Sequence, residues 1–320
     1  MTPAEGLEPT DANDAGSWYN RGDAHHAKGE YNRAIANFDE AIRLNPNFAN
    51  AYHRRGEAHH ANGEYDQAAA DFSEAIRLVP DYASAYYHRG GAHGAKGEYD
   101  QAIADFGEAI RLAPNSAVVH NARGEALQSK GEYDRAVSDF DEVIRLMPNY
   151  TFAYYSRGLA NHAKGEDDRA IADFDQAIRL DPSFPLPCCS RGLIHYDKGE
   201  YDQAIADFSE AIRRDPNYRF SYTNRGRAHY VKGEADRAIV DFSEAIRLDP
   251  NCTLAYYGRG LVYEAKGDYD RAIADFSEAI GLDPNFADAY RRRGEAHKAQ
   301  GDHELAAADR LEAIILDEAE

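Results

Sequence analysis

Six histidines recur on one spacing. His25, His59, His93, His195, His229 and His297 are separated by multiples of 34 residues, and His26 and His60 double the first two. Imidazole can ligate a metal, relay a proton or activate a nucleophile, so these residues are the first candidates for chemistry. A metal centre needs three or four donors converging on one point. Residues 34 apart that lie on successive helices are held about 8–10 Å from one another. A ladder of single imidazoles at that pitch does not converge, and histidine here is read as a packing residue with a polar tip. The doublets at 25–26 and 59–60 are the one place on the ladder where neighbouring imidazoles leave a metal site open. The expectation is no metal site and no cofactor.

Other reactive groups give the same answer. The acidic side chains number 56, but most recur with the histidines and fit caps and solvated faces rather than one acid–base pair. Cys188 and Cys189 are adjacent, yet no His/Asn arrangement specific to their segment accompanies them, so a buried thiol is favoured over a nucleophile. Phosphate-cradling glycine loops, HExxH and the nucleophile elbow are absent from the sequence. Arg21, Arg55, Arg89, Arg123, Arg157, Arg191, Arg225, Arg259 and Arg293 form a second ladder. Sixteen residues after each comes an aspartate, Asn37 being the first-repeat exception. A bare guanidinium on a packing face is costly, so structural ion pairs are expected, with Arg123 largely buried against the position-23 aspartate of its own or an adjacent repeat, Asp139 being the first candidate. An arginine ladder that reads phosphates is the alternative, and the accompanying aspartates count against it. The chain is read as non-enzymatic.

Bulk properties narrow the partners. A formal charge of -20 argues against nucleic acid and against anionic membrane surfaces. Three cysteines fit a reducing compartment rather than a disulfide framework. The opening residues 1–14 are acidic, with neither a positive n-region nor an apolar h-region, and no apolar run approaches membrane-spanning length. A cytoplasmic protein is the expectation.

What must position these residues is the repeat itself. Gly22, Gly56, Gly90 and six later glycines follow the same 34-residue clock without insertion. This defines nine repeats beginning at residues 15, 49, 83, 117, 151, 185, 219, 253 and 287. A single array over 15–320 is expected, behind a lead of residues 1–14. Within each repeat, apolar or small residues at positions 3, 4, 8, 10 and 11, then 20, 21, 24, 27, 28 and 30, have helical spacing twice over. Between the two sets lies KGEYD or a close variant, whose glycine suits a left-handed helix end. Asp or Asn at position 18 is expected to cap the second helix. Proline at position 32 follows that helix in eight repeats.

The first repeat carries Trp18, Gly22, Ala34, Phe38, Ala41 and Pro46. This pattern resembles the tetratricopeptide (TPR) repeat, in wording similar to bacterial members of that family. Arginine at position 7 and histidine at position 11 depart from the family's usual leucine and tyrosine. The resemblance implies an all-α fold, an α-solenoid in which antiparallel helix pairs wind into a right-handed superhelix. The first helices would line a concave groove, with positions 2, 5, 9 and 12 facing it. The chaperone-binding members hold a carboxylate with lysine and asparagine at set positions, and no triplet of repeats here fits that clamp.

Groove positions diverge along the chain. Early repeats carry Asp23, His26, Glu57, His60 and Gly91, whereas later ones carry Phe152, Tyr155, Leu159, Leu186, Leu193, Phe220, Leu254, Tyr257 and Leu261. Large apolar groups at solvent-facing positions point to a binding face for a protein or peptide segment with apolar side chains. A bland reading stays open, in which position 2 tucks against the preceding repeat. The leading function is thus an interaction scaffold that takes a partner segment in its groove. Self-assembly into a homo-oligomer through the array ends is the alternative, since Ile314, Ile315 and Leu316 lie in a last repeat that lacks the usual Phe and Pro.

Overall fold

The computed structural model describes residues 14–319. The lead expected over 1–14 therefore falls, except for Asp14, outside the described residues. Eighteen helices and no strand make up the described residues. They are α1 (Ala15–His26), α2 (Tyr31–Leu44), α3 (Ala49–Ala61), α4 (Tyr65–Leu78), α5 (Ala83–Ala95), α6 (Tyr99–Leu112), α7 (Ala117–Ser129), α8 (Tyr133–Leu146) and α9 (Thr151–Ala163). There follow α10 (Asp167–Leu180), α11 (Leu186–Asp197), α12 (Tyr201–Arg214), α13 (Arg219–Val231), α14 (Ala235–Leu248), α15 (Thr253–Ala265), α16 (Tyr269–Leu282), α17 (Ala287–Gln300) and α18 (His303–Ala319). No described helix is long and apolar enough to cross a membrane.

The chain divides after Gly165 into two compact bodies. Within each, every first helix packs on its own second helix, and that second helix packs on the next first helix. Within each body first helices also touch the following first helix, as α3 does α5 and α13 does α15, and so build a continuous face there.

Local chemistry explains each hairpin. In the fourth repeat, Gly131 takes φ 82°, a conformation that costs glycine little. Its N–H donates to the Gln128 carbonyl and the Glu132 N–H reaches back to Leu127, which closes the end of α7. The chain then enters α8 two residues earlier than a cap at position 18 would allow. The N-cap is the residue at position 16, a glutamate such as Glu132 that makes no side-chain cap bond, although Asp268 in the eighth repeat accepts from the Arg271 N–H. Asp or Asn at position 18 is therefore not the cap; it lies in the first turn, where the helix dipole still favours an acid. It points instead to the next repeat: Lys96 Nζ lies 2.7 Å from Asp66, Lys164 2.7 Å from Asp134, and Lys266 2.5 Å from Asp236. These carboxylates are almost fully solvated, so each link adds little stability.

Beneath the turn, a phenylalanine at position 24 fills each hairpin except the last, where Arg310 stands. Phe38, Phe72, Phe140, Phe208, Phe242 and Phe276 are fully buried. Each such side chain contributes about 1.5–3 kcal/mol by burial. The ring lies so close to the first helix that a Cβ on Gly124 would sit 2.7 Å from Phe140 Cε1.

The arginine ladder is the firmest feature of the lattice. Arg89 Nε and Nη2 donate to the two oxygens of Asp105 at 2.9 and 2.6 Å. Its Nη1 reaches Ser73 of the preceding repeat at 3.0 Å, and the guanidinium lies 5.5 Å from the Tyr86 ring centroid. Arg55, Arg225, Arg259 and Arg293 take the same two-pronged hold on Asp71, Asp241, Asp275 and Asp309. Arg123 grips Asp139 at 2.7 Å through both nitrogens, as expected. It is less enclosed than expected: Asp139 is 5% exposed, but the Arg123 side chain is 25% exposed. Its place opposite the preceding repeat is taken by Gly107, which offers no hydroxyl. A buried His120 adds a contact of 3.0 Å to Asp139.

These contacts set the cost of breaking them. Arg89→Leu strands the buried Asp105 and should lower unfolding free energy by about 2–4 kcal/mol, toward the range for a broken buried pair. Arg123→Leu should cost less, because His120 stands 3.0 Å from Asp139 whereas His93 stands 3.8 Å from Asp105; urea unfolding of both variants reads the difference, and equal losses would show that His120 gives no more support than His93 does. For the glycines, Gly124→Ala should destabilise by about 1–2 kcal/mol, as overpacking against Phe140 exceeds the gain in helix propensity. Gly281, within α16, would meet nothing on gaining a Cβ. Gly281→Ala should therefore raise the thermal midpoint, with a gain of up to about 1 kcal/mol.

Candidate functional site

The ladder histidines have structural employment. Nδ1 of His93 lies 2.7 Å from Glu98, that of His195 2.5 Å from Glu200, and that of His229 2.6 Å from Glu234. The opposite ring nitrogen of each lies 3.8 Å from the aspartate that the arginine grips. Each of these imidazoles thus ties the inter-helix turn to the ion pair of its own repeat rather than to another imidazole of the ladder. Cys188 and Cys189 lie in surroundings that disfavour the thiolate. Both are buried, and burial pushes the Cys188 thiol up to about 11 and raises that of Cys189. A nucleophilic cysteine needs the opposite shift.

Positions 2, 5 and 9 are one turn apart on each first helix and share a face. In the N-terminal body, Phe152 on α9 is 52% exposed, while Tyr155 and Leu159 are half-buried. In the C-terminal body, Phe220 on α13 is 46% and Leu254 on α15 is 61% exposed. Leu186 on α11 is half-buried. The tucked-in reading of position 2 is right in part. Phe152 lies 5.9 Å from the Tyr150 ring and Phe220 lies 5.5 Å from Tyr218, each the last residue of the preceding repeat. About half of each ring still meets solvent. Position 9 behaves differently: Leu193 packs against the buried cluster of Cys189 and Phe208, and Leu261, beside Tyr257, against that of Tyr263 and Phe276. These leucines are the rim of the core more than free surface.

A cleft lies elsewhere on the first-helix face, within the N-terminal body. It has a volume of about 560 Å³ and is lined by His60, Tyr87, His88, Tyr99, Phe106 and Glu125 among others. Gly91 and Gly94, at groove positions 9 and 12 of the third repeat, also line it. They open the space by contributing no side chain. Its signal is present in the sequence, as small residues at two groove positions of one repeat. Attention to the large groups that a groove presents passes over the places where it has none.

Beside this cleft three donors converge that the 34-residue ladder does not contain. His53 and Glu57 on α3 and His88 on α5 bring ligand atoms within 4.8 Å of one another. His88 Nε2 lies 3.1 Å from Glu57 Oε1 and His53 Nδ1 lies 3.8 Å from Oε2. Burial brings His53 down to about 4. Burial would raise Glu57, but hydrogen bonds from His88 and Arg54 outweigh it and hold the carboxyl at about 2. Arg54 donates to Glu57 at 2.7 Å and also to Asp23 at 2.7 Å, which extends the network to the first repeat.

Comparison with known proteins agrees with this architecture. A TPR repeat model matches residues 22–63 and 58–97, and tetratricopeptide repeat models match 83–116, 121–185, 189–251, 223–285 and 257–319. No curated protein matches the chain. Similar solved structures include that of MamA protein, 27% identical over 53% of this chain and 92% of that one, with a TM-score of 0.51. Another is YrrB, described as a TPR protein with an unusual peptide-binding site, at 24% identity over 59% and 94% with a TM-score of 0.51. A tetratricopeptide repeat protein from Parabacteroides merdae is 18% identical over 78% of this chain and 98% of its own, with a TM-score of 0.60. The fold is the TPR α-solenoid and the repeats support a protein–protein interaction scaffold; the chain belongs to the tetratricopeptide-repeat family.

Proposed function

We propose that the chain is a non-enzymatic cytoplasmic scaffold, one array over 15–320, that holds a partner segment along its first-helix face through apolar side chains. The observation that carries this reading is the exposure of Phe152, Phe220 and Leu254 at repeat position 2. Nothing in the repeat framework calls for a large apolar group there, since earlier repeats place Gly16, Asn50 and Ser84 at that position. Burying one such side chain contributes about 1.5–3 kcal/mol before the costs of ordering and association. A few together reach micromolar affinity, which corresponds to about -8 kcal/mol. Half-buried supports accompany them in each body: Tyr155 and Leu159 beside Phe152 in the N-terminal one, and Leu186, Leu193, Tyr257 and Leu261 beside Phe220 and Leu254 in the C-terminal one.

The supports should not be the mutated residues, because replacing Leu193 or Leu261 with aspartate would disturb the core they pack against. Peptides selected from a random library on the wild-type protein provide the ligand. Phe220→Asp and Leu254→Asp should each weaken the selected peptides at least about tenfold, a loss of about 1.4 kcal/mol, with the helical spectrum unchanged. Unaltered affinity in both would move binding off this face. The rival reading has its own support, in that Leu305, Leu311, Ile314 and Ile315 on α18 are exposed. Concentration-dependent association abolished by Leu311→Asp would favour self-assembly instead.

A further inference from the structure

We propose that His53, Glu57 and His88 form a binding site for a divalent transition-metal ion of the zinc class, at the wall of the first-helix cleft. Two imidazoles and one carboxylate are a donor set suited to zinc, with a fourth position left for water or another donor. In a tetrahedral site with bonds of about 2.0–2.2 Å the donors stand about 3.3 Å apart. The observed separations of 3.1 and 3.8 Å, inside a 4.8 Å envelope, need only small side-chain rotations to reach that geometry.

The surroundings fit a ligand set better than a packing cluster. His53 Nε2 lies 3.1 Å from Ser84 Oγ. A metal-bound histidine is commonly fixed by such a bond from its other nitrogen. In the tautomer whose Nε2–H donates to Ser84, Nδ1 turns a lone pair toward the Glu57 carboxylate. Two acceptors then face each other, and a cation between them satisfies both. Arg54 occupies Glu57 Oε2; at Oε1 an ion would take the place of the proton in the His88–Glu57 hydrogen bond. The imidazole planes are held in place: His53 stacks on Tyr82 at 4.8 Å and His88 on Phe72 at 5.6 Å.

The positions are singular. Repeat position 5 holds histidine only at His53, and position 6 only at His88. Framework histidines recur in six repeats because the hairpin uses them. These two occur once each, in adjacent repeats, and meet on one carboxylate. His88 also lines the cleft, so the fourth coordination position is available to a donor from a bound partner, although the site itself requires none.

The test uses the full chain without an affinity tag, freed of metal with a chelator and titrated with zinc alone by calorimetry, then with cobalt by absorption. The wild type should bind a single zinc ion and give cobalt bands of tetrahedral nitrogen–oxygen ligation. His88→Gln and Glu57→Gln should each weaken zinc at least about tenfold, as even outer-shell losses do, and abolish the cobalt bands. His229→Gln, on the framework ladder, should leave both unchanged. His53→Gln carries the same expectation as His88→Gln where its helical spectrum is intact, and the less buried His88 keeps the test decisive where it is not. Absence of zinc binding by the wild type, or equal affinity in His88→Gln and Glu57→Gln, overturns the proposal.

Discussion

The lattice depends on a charge that is taken out of water. Each aspartate at position 23 lies almost wholly buried between the helices of its hairpin, as Asp105 and Asp241 do. An unpaired carboxylate there would cost several kcal/mol, about what breaking a buried pair costs. Arginine meets the need in a way lysine could not, because its planar fork covers both oxygens and still has a nitrogen to spare. The spare nitrogen is what joins repeats. Arg225 reaches Ser209 and Arg259 reaches Ser243, both at 3.0 Å, so these ion pairs also bind their hairpins to the ones before, as Arg123 opposite Gly107 does not. The tyrosine at position 4 covers the guanidinium, as Tyr222 does Arg225 and Tyr256 does Arg259. Leucine in this place would pack but would neither satisfy the aspartate nor reach the neighbour.

That arrangement absorbs the sequence's most reactive-looking residues. The arginine, aspartate and histidine ladders are one network in three parts: turn glutamate, imidazole and ion pair. Once these have partners inside their own or the adjacent repeat, their regularity marks them as framework. A solenoid transmits stability only between neighbours, so any framework residue has the same two possible sources of partners, and the pattern copies itself. Function is then confined to residues that the copying does not explain.

Much of the fold is legible because it is written nine times. The helix–turn–helix unit around its glycine and the Arg–Asp pair each follow from residue type at a fixed spacing. The departures turn on geometry that spacing does not encode. Asp at position 18 has the chemistry of a cap, but Gly131 and its equivalents leave the turn with φ near 80°, which starts the helix at position 17 and sends the aspartate toward the next repeat's lysine. The groove leucines at position 9 share a face with position 2, yet differ in depth. Position 9 lies further along the helix, where Leu193 meets the core below it. Periodicity gives the direction of a side chain and not how far the neighbouring hairpin rises to meet it.

The convergence of His53, Glu57 and His88 is hidden in the sequence for a related reason. Like positions in successive repeats are held apart by the helix spacing, so a ladder of identical residues cannot close on one point. Unlike positions can meet. His53 at position 5 and His88 at position 6 of the next repeat lie on α3 and α5, first helices that touch, and their rings come within 5.1 Å. Where first helices approach each other, a departure from consensus in one repeat can address a departure in the next without disturbing either hairpin. The same contact places Gly91 opposite His60, whose Nε2 would stand 3.9 Å from a Cβ there. In this architecture the seam between first helices, rather than the repeated positions of any one helix, is where unique chemistry can be assembled.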